Sequence, residues 1–340
     1  MKAQAGPTVA VIVPVYNGAG HLDRCLSALQ ACRNPEFEII VSDDGSTDDS
    51  AAIALARGLR VVRLPENRGP SAARNAGVRE TRADILLFVD ADVEIHGDAP
   101  AKILKHFERE PGLSAVFGSY DDSPSETNFC SQYKNLFHHF VHSTSGGPVS
   151  TLWTGLGAIR ASALESVGGF NEGQRWVQDI ELGYRLTAAG RTIRLDPEIQ
   201  GKHMKHWSLR SLLRTDIFCR AVPWARLALR RGALGNELNV KKSQRASAGL
   251  LAGAVLSGPL AFADPWFLPV PASMLAAILW INLPLYRFFL ARRGLRFMLG
   301  AFVMQLLYYA YSGAAFLAIA AEHALRPEAR RLQPVRPLDP

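Results

Sequence analysis

The chain has 340 residues, of which 48% are hydrophobic and 20% charged, with a formal net charge of +7. Such a chain is too long for a peptide hormone and too apolar for a disordered tail, which leaves one large domain or two. Four cysteines, Cys25, Cys32, Cys130 and Cys219, form no C-x-x-C pair, so neither a disulfide framework nor a zinc ribbon is implied and a reducing compartment fits best. The charge is unevenly placed: residues 1–201 hold 19 basic and 25 acidic side chains, residues 202–246 hold 11 and 2, and residues 287–340 hold 8 and 3. The basic excess flanks apolar runs and carries no nucleic-acid-binding motif, so nucleic acid is excluded as the partner.

The first apolar run, residues 9–15, is interrupted by Pro14 and is too short for a signal peptide or a membrane span. It reads as a buried strand. Further strand-like runs at residues 37–41, 60–64 and 84–89 alternate with helical patterns at 20–31, 48–57 and 71–79, an alternation that predicts βαβ units and a mostly parallel sheet. Ligands in such sheets sit beyond the carboxyl ends of the strands. Those ends are informative here. The first leads into Pro14-Val15-Tyr16-Asn17-Gly18, and the second into an acidic turn from Ser42 to Asp49. The third leads to Asn67-Arg68-Gly69-Pro70, opening a helix that carries Arg74, and a helix N-terminus flanked by arginines is an anion site. The fourth ends in Asp90-Ala91-Asp92, two carboxylates able to hold a hard divalent cation that bridges a diphosphate.

Taken together, VIVPVYN, SDDGSTDDS, NRGPSAARNAG, FVDAD, TGLGAIRASALESVGGFNE and QDIELGYRL, in that order between residues 11 and 186, resemble the family 2 glycosyltransferases, whose nucleotide-sugar-binding fold is called GT-A. The resemblance runs from about residue 9 to 207. It implies that Pro14, Tyr16 and Asp44 contact the nucleobase and ribose, that Arg68 and Arg74 lie near the nucleotide, that Asp90 meets the ribose or the metal, and that Asp92 is the main metal ligand. Gly155, with Trp176 and Gln178, would border the sugar and acceptor, and Asp179 would be the catalytic base. Family members usually carry Glu-Asp where this chain has Gln178-Asp179. Asp179 also reads as the N-cap of a helix over residues 180–189. His203 is the better placed of His203 and His206 to complete the shell of a divalent Mn or Mg ion. His138 and His142 share one helical face and read as part of an aromatic helix surface, while Trp153 and Trp176 could stack on a sugar.

Beyond residue 207, residues 208–231 place Leu209, Leu212, Leu213, Ile217, Phe218, Trp224 and Leu227 near helical spacing with six arginines interleaved. This predicts a helix lying on an anionic membrane, bent at Pro223. Residues 247–263, 266–286 and 297–321 then form apolar stretches of span length or close to it, the first two joined as a hairpin through Asp264-Pro265, with a re-entrant helix as the alternative for the first. Lys241, Lys242 and Arg245 before the first stretch and Arg287, Arg292, Arg293 and Arg296 before the third put both loops in the cytosol by the positive-inside rule. Three spans would export the tail with Arg326, Arg330 and Arg331, so the count stays at two or three. The expected organisation is a catalytic domain over 1–207, interfacial helices over 208–246, spans over 247–321 and a polar tail over 322–340, in the cell's inner or plasma membrane with the catalytic domain cytosolic. Polysaccharide synthases of this superfamily carry a Gln/Arg-x-x-Arg-Trp motif; here Arg220-Ala221-Val222-Pro223-Trp224 has proline in place of arginine. The expected activity is therefore inverting, metal-assisted transfer of a single sugar from a nucleotide-diphosphate sugar to a lipid or lipid-linked acceptor. An already anionic polyprenyl phosphate acceptor, or an inactive membrane scaffold of the same fold, are the alternatives.

Overall fold

A computed structural model describes residues 7–32, 36–231, 238 and 241–325; Arg326, Arg330 and Arg331 of the expected tail lie outside them. The described residues fall into two compact units, one of residues 7–127 and 142–206, the other of residues 128–141 and 207–325.

The first unit is built on a nine-stranded mixed sheet. Strands β1 (Val9–Val15), β2 (Glu38–Asp43), β3 (Arg60–Arg63) and β4 (Ile85–Val89) are mutually parallel, in the spatial order β3-β2-β1-β4. The parallel part ends there. Short β5 (Val93–Ile95) leads on to β6 (Leu113–Tyr120), β7 (Gly147–Val149), β8 (Leu156–Arg160) and β9 (Thr192–His203). β8 lies antiparallel between β4 and β6, β9 runs parallel to β6, and β5 and β7 pair antiparallel with β9. β1 and β4 read as unbroken apolar runs because both faces of the central sheet are covered, and every residue of β4 is buried.

Helix α1 (Ala19–Ala31) buries Leu22, Cys25, Leu26 and Leu29, a spacing that places them on one face. Each leucine so buried contributes about 1.5–3 kcal/mol. After α2 (Ser50–Ala56), α3 (Pro70–Arg79) starts with Pro70 in its first turn and is buried from Ser71 to Gly77. Its alanines and Gly77 are small for a reason: a Cβ on Gly77 would come within 2.6 Å of Ile12 on β1. α4 (Ala99–Arg109), α5 (Phe129–Ser143), α6 (Ala161–Ser166) and α7 (Gln178–Ala188) complete the helices up to residue 206.

The register fixes where function can sit. Val15 pairs with Asp43 and Ile12 with Phe88, so Tyr16, Asp44 and Asp90 all emerge at the same carboxyl edge of the sheet.

The second unit is helical. Ser208 caps α8 (Leu209–Arg214) by accepting from the Ser211 N–H at 3.1 Å. The helix continues through a π-helical stretch, Thr215–Ala221, into α9 (Val222–Arg231). Pro223 is the second residue of α9, and its missing N–H and bulky ring account for the widened turn just before it. α10 (Lys242–Ala263), a 3₁₀ turn at Pro265–Phe267, α11 (Pro269–Ile281) and α12 (Leu283–Leu325) follow. α12 is broken at Gly294, whose φ of 78° and ψ of 178° only glycine adopts readily. Two of these helices, α10 and α12, are long and apolar enough to cross a membrane. The apolar stretch at residues 266–286 is not one helix but a 3₁₀ turn, the 13-residue α11 and the start of α12, because Pro265, Pro269 and Asn282 interrupt it.

Candidate active site

The turns after β1 and β2 are stitched together by side chains. The Asn17 N–H donates to Ser46 Oγ at 2.9 Å, the Thr47 N–H to Asn17 Oδ1 at 2.8 Å, and the Gly18 N–H to Ser50 Oγ at 3.0 Å. Asn17 itself adopts a φ of 50°, a left-handed conformation that asparagine tolerates. Gly45 has no such substitute, since its φ is 73° and a Cβ would stand 2.7 Å from the Glu66 carbonyl carbon. That close approach brings the acidic turn against the loop before α3.

Asp44 makes the junction. Its buried carboxylate accepts the backbone N–H of Arg68 and of Gly69, each at 2.8 Å. Burial raises its pKa against the pull of those two donors. Tyr16 stands half-exposed beside this junction at the end of β1, and Pro14 lies within the strand, paired with Ser42. Arg68 reaches Glu172 at 2.7 Å, and Glu172 also accepts from Asn75 at 3.1 Å.

Arg74 lies on the buried face of α3, its side chain only 4% exposed, and donates to Asp90 Oδ1 at 2.7 Å. The guanidinium also lies 5.6 Å from the centre of the Phe170 ring, and its Nε and Nη1 are buried without a hydrogen-bond partner. Asp90 is held from the other side by its own N–H, which donates to the Gly155 carbonyl at 3.1 Å. Burial, together with the charges of Asp92 and Asp179, raises the Asp90 pKa, and Arg74 opposes them. The carboxylates of Asp92, at the same strand end, and of Asp179, on α7, therefore both lie near that of Asp90.

Asp92 has a different environment. His203 Nε2 lies 3.7 Å and Lys205 Nζ 4.0 Å from its Oδ2, and the Met204 N–H donates to its carbonyl at 2.9 Å. Burial would raise this carboxylate, but His203, Lys205 and His21 hold it down to about 2. The His203 ring is stacked on Tyr120 at 4.1 Å, and Tyr120 packs edge-on against Trp153. Trp153 in turn covers Gly155, where a Cβ would meet the indole at 2.4 Å. Gly155 is thus needed for packing as well as for its carbonyl.

Asp179 corrects one expectation. The helix begins at Gln178, with Val177 as the N-cap in a left-handed conformation, φ 51°. Asp179 lies inside the first turn, its Oδ1 accepting the Ile180 N–H at 2.9 Å. A β-branched residue at positive φ is strained, and here the strain sits directly before Gln178 and Asp179. Trp176 is exposed just ahead of it, with Arg175 5.9 Å from its ring.

His142 is buried, 3.0 Å from the Gly118 carbonyl through Nδ1 and packed against Phe117 and Trp153, while His206 is exposed. Glu172, Lys205, His21 and Tyr120 were given no role by sequence. Glu172 closes the GGFNE motif, and Lys205 stands two residues beyond His203 on the same strand exit, so both could have been read from position.

Among the described residues no three His, Cys, Asp or Glu side chains converge closely enough to enclose a metal ion by themselves. Asp90 is turned toward Arg74, and only Asp92 and His203 face one another. A carboxylate and an imidazole suit a magnesium or manganese ion that would take its remaining ligands from a diphosphate and water.

The mixed sheet, the paired turns and the Asp-x-Asp edge are those of a GT-A glycosyltransferase, and residues 10–168 match the family described as glycosyl transferase family 2. That match covers 159 of the 340 residues, from β1 to α6. It is 29% identical over 229 residues to a pre-mycofactocin glycosyltransferase of Mycobacterium tuberculosis, covering 64% of this chain and 47% of that protein. It is 27% identical over 202 residues to a poly-beta-1,6-N-acetyl-D-glucosamine synthase of Staphylococcus aureus, covering 56% of this chain and 48% of that one. The chain thus spans about half the length of the curated relatives it matches. Among solved structures it is similar to a mannosyltransferase of Pyrobaculum calidifontis in complex with GDP-Man and Mn2+, with a TM-score of 0.58 and 20% identity over 92% of this chain and 88% of that one. This last likeness concerns the fold.

Proposed function

We propose that this protein transfers a single sugar, with inversion, from a nucleotide-diphosphate sugar to a lipid or lipid-linked acceptor at the cytosolic face of a membrane. The observation that carries the reading is that Asp92 and Asp179 both lie near Asp90 beyond the carboxyl end of β4, with Arg74 on Asp90 and His203 beside Asp92. Tyr16 offers an aromatic face for the base, and Asp44 and Arg68 frame the same pocket edge. The two unpartnered donors of Arg74 suit oxygens of the nucleotide.

Asp92 and His203, with Asp90 behind them, would hold a divalent cation, which when bound supplies charge stabilisation to the departing diphosphate. Lys205 adds a second positive charge at the same place. Asp179, in the first turn of α7, would take the proton from an acceptor hydroxyl as its oxygen attacks the anomeric carbon. Gly155, covered by Trp153, and exposed Trp176 would border the sugar and acceptor, with Gln178 beside the base. Membrane attachment is supported by the interleaved arginines of α8 and α9 and by the apolar faces of α10 and α11 that stand exposed, Leu256 at 78%, Phe262 at 95% and Trp280 at 77%.

The reading is tested by Asp179→Asn. Transfer to a hydroxyl acceptor should fall by about 10²–10⁴, while donor binding, measured by titration calorimetry with Mn2+, stays within about twofold. Full activity of Asp179→Asn would remove it as the base.

A further inference from the structure

The course of α12 is unexpected for a helix of its length and apolarity. Phe297 packs on Phe129 with ring centres 5.2 Å apart, Gln305 accepts from the Tyr133 hydroxyl at 2.7 Å, and Tyr308 meets Phe137 at 5.4 Å. Farther on, the Tyr311 hydroxyl donates to Asp216 at 2.8 Å and Glu322 pairs with Arg226 at 3.0 Å. From residue 297 to 322, about 38 Å at 1.5 Å per residue, α12 therefore follows first α5 and then the basic segment of α9.

Chain connectivity gives this its meaning. α5 leaves the catalytic unit after Thr127 and rejoins it at His142, so both its ends lie on the catalytic side and its 15 residues, about 22 Å, do not cross. A helix packed along it ring by ring stays on that side too. The helical hairpin of α10 and α11 behaves differently. Its base is closed by the Asn282 amide, which donates to Ser247 Oγ of α10 at 2.9 Å, and is fastened to the middle of α12 by the Tyr309 hydroxyl, which donates to Asn282 Oδ1 at 3.0 Å. Away from that base the hairpin exposes Leu256, Leu260, Phe262, Trp266 and Leu268. Lys241, Lys242 and Arg245 surround the base, matching anionic headgroups. The one charge at the tip, Asp264, caps the 3₁₀ turn by accepting from the Trp266 N–H at 3.0 Å.

We propose that, among the described residues, the α10–α11 hairpin is the sole part that crosses the acyl core of a phospholipid bilayer, passing through it twice with Asp264 in the far headgroup region, and that α12 does not cross but remains on the near side with α5 and α9. Each leg is about 25 Å from base to tip, a few ångströms short of the ~30 Å core, a mismatch that local thinning accommodates. A carboxylate left at mid-bilayer would cost at least about 2.5 kcal/mol, which favours full crossing. The chain's last described residues then stand on the same side as α9, and the conflict between three crossings and the arginine-rich tail disappears. This inference rests on the membrane reading above.

The test uses the full chain in intact and permeabilised cells, labelled with a membrane-impermeant maleimide after introducing Arg210→Cys, Asp264→Cys or Leu325→Cys singly and subtracting the parent's own labelling. Leu325→Cys should label on the same side as Arg210→Cys, and Asp264→Cys on the opposite side. Labelling of Leu325→Cys opposite to Arg210→Cys would mean that α12 crosses and would overturn the proposal, as would labelling of Asp264→Cys on the Arg210 side. Extraction of the parent chain from membranes by alkaline carbonate would instead overturn the membrane reading itself. Recovery as a soluble dimer with the hairpin protected would assign those apolar faces to a second copy and overturn both.

Discussion

Arg74→Met removes the guanidinium in contact with Asp90, and its cost can be worked from the geometry. The arginine is 4% exposed and the aspartate 33%, so the pair lies between a buried ion pair, whose halving costs about 3–5 kcal/mol, and an exposed one, which is worth about 0–1 kcal/mol. A value of about 2–3 kcal/mol follows, to which the stacking on Phe170 adds about 0.5–1 kcal/mol. For a unit of this size a loss near 3 kcal/mol lowers Tm by about 6–12 °C, at about 2–4 °C per kcal/mol. Methionine fills most of the same volume, so the effect isolates charge and hydrogen bonding from cavity formation. Differential scanning fluorimetry in detergent reads the stability, and calorimetry reads donor affinity, which should weaken at least tenfold. Arg74→Lys keeps the charge without the planar fork and should recover about half of the Tm loss. If Arg74→Met melted within 1–2 °C of the parent and bound donor equally well, Arg74 would neither steady Asp90 nor meet the nucleotide.

Asp92→Ala should abolish transfer while leaving Tm within a few degrees, and chelation of divalent ions should reproduce that loss reversibly; activity that survives both would exclude the Asp92 and His203 metal site. Gly45→Ala, which forces a Cβ against Glu66 at a φ of 73°, should destabilise by about 1–3 kcal/mol, visible as a lower denaturant midpoint, and an unchanged midpoint would show that the two turns do not need their close approach. His203→Phe keeps the stacking on Tyr120 but removes the imidazole nitrogens; it should raise the Mn2+ concentration for half-maximal activity at least tenfold while leaving Tm nearly unchanged.

Local patterns account for what could be read from sequence. The four parallel strands, the helices between them and the carboxyl-edge turns follow from apolar runs alternating with helical spacing, and Asp44 and Asp90 are placed because each directly follows a strand, with Asp92 two residues beyond Asp90. Asp179 was assigned by resemblance, and its position one residue inside the helix depends on Val177 taking a positive φ, which no propensity favours. The partners of Arg68 and Asp90 come from segments about 100 and 16 residues away in sequence, joined only once α3 is packed into the sheet. The same holds for α12. Its composition reads as a membrane span, and only tertiary contacts to Phe129, Tyr133 and Asp216 give it a different course.

The central claim, that the carboxylate edge moves a sugar from a nucleotide donor onto a membrane lipid, is tested most directly by one labelling experiment. Purified protein in detergent is incubated with a panel of radiolabelled uridine- and guanosine-diphosphate sugars, Mn2+ and a membrane lipid extract, and the organic phase is analysed by mass spectrometry. One donor should place a single labelled sugar on a lipid with the parent chain and none with Asp92→Ala or Asp179→Asn. Equal labelling by Asp92→Ala, or label that enters only water-soluble products, would contradict it.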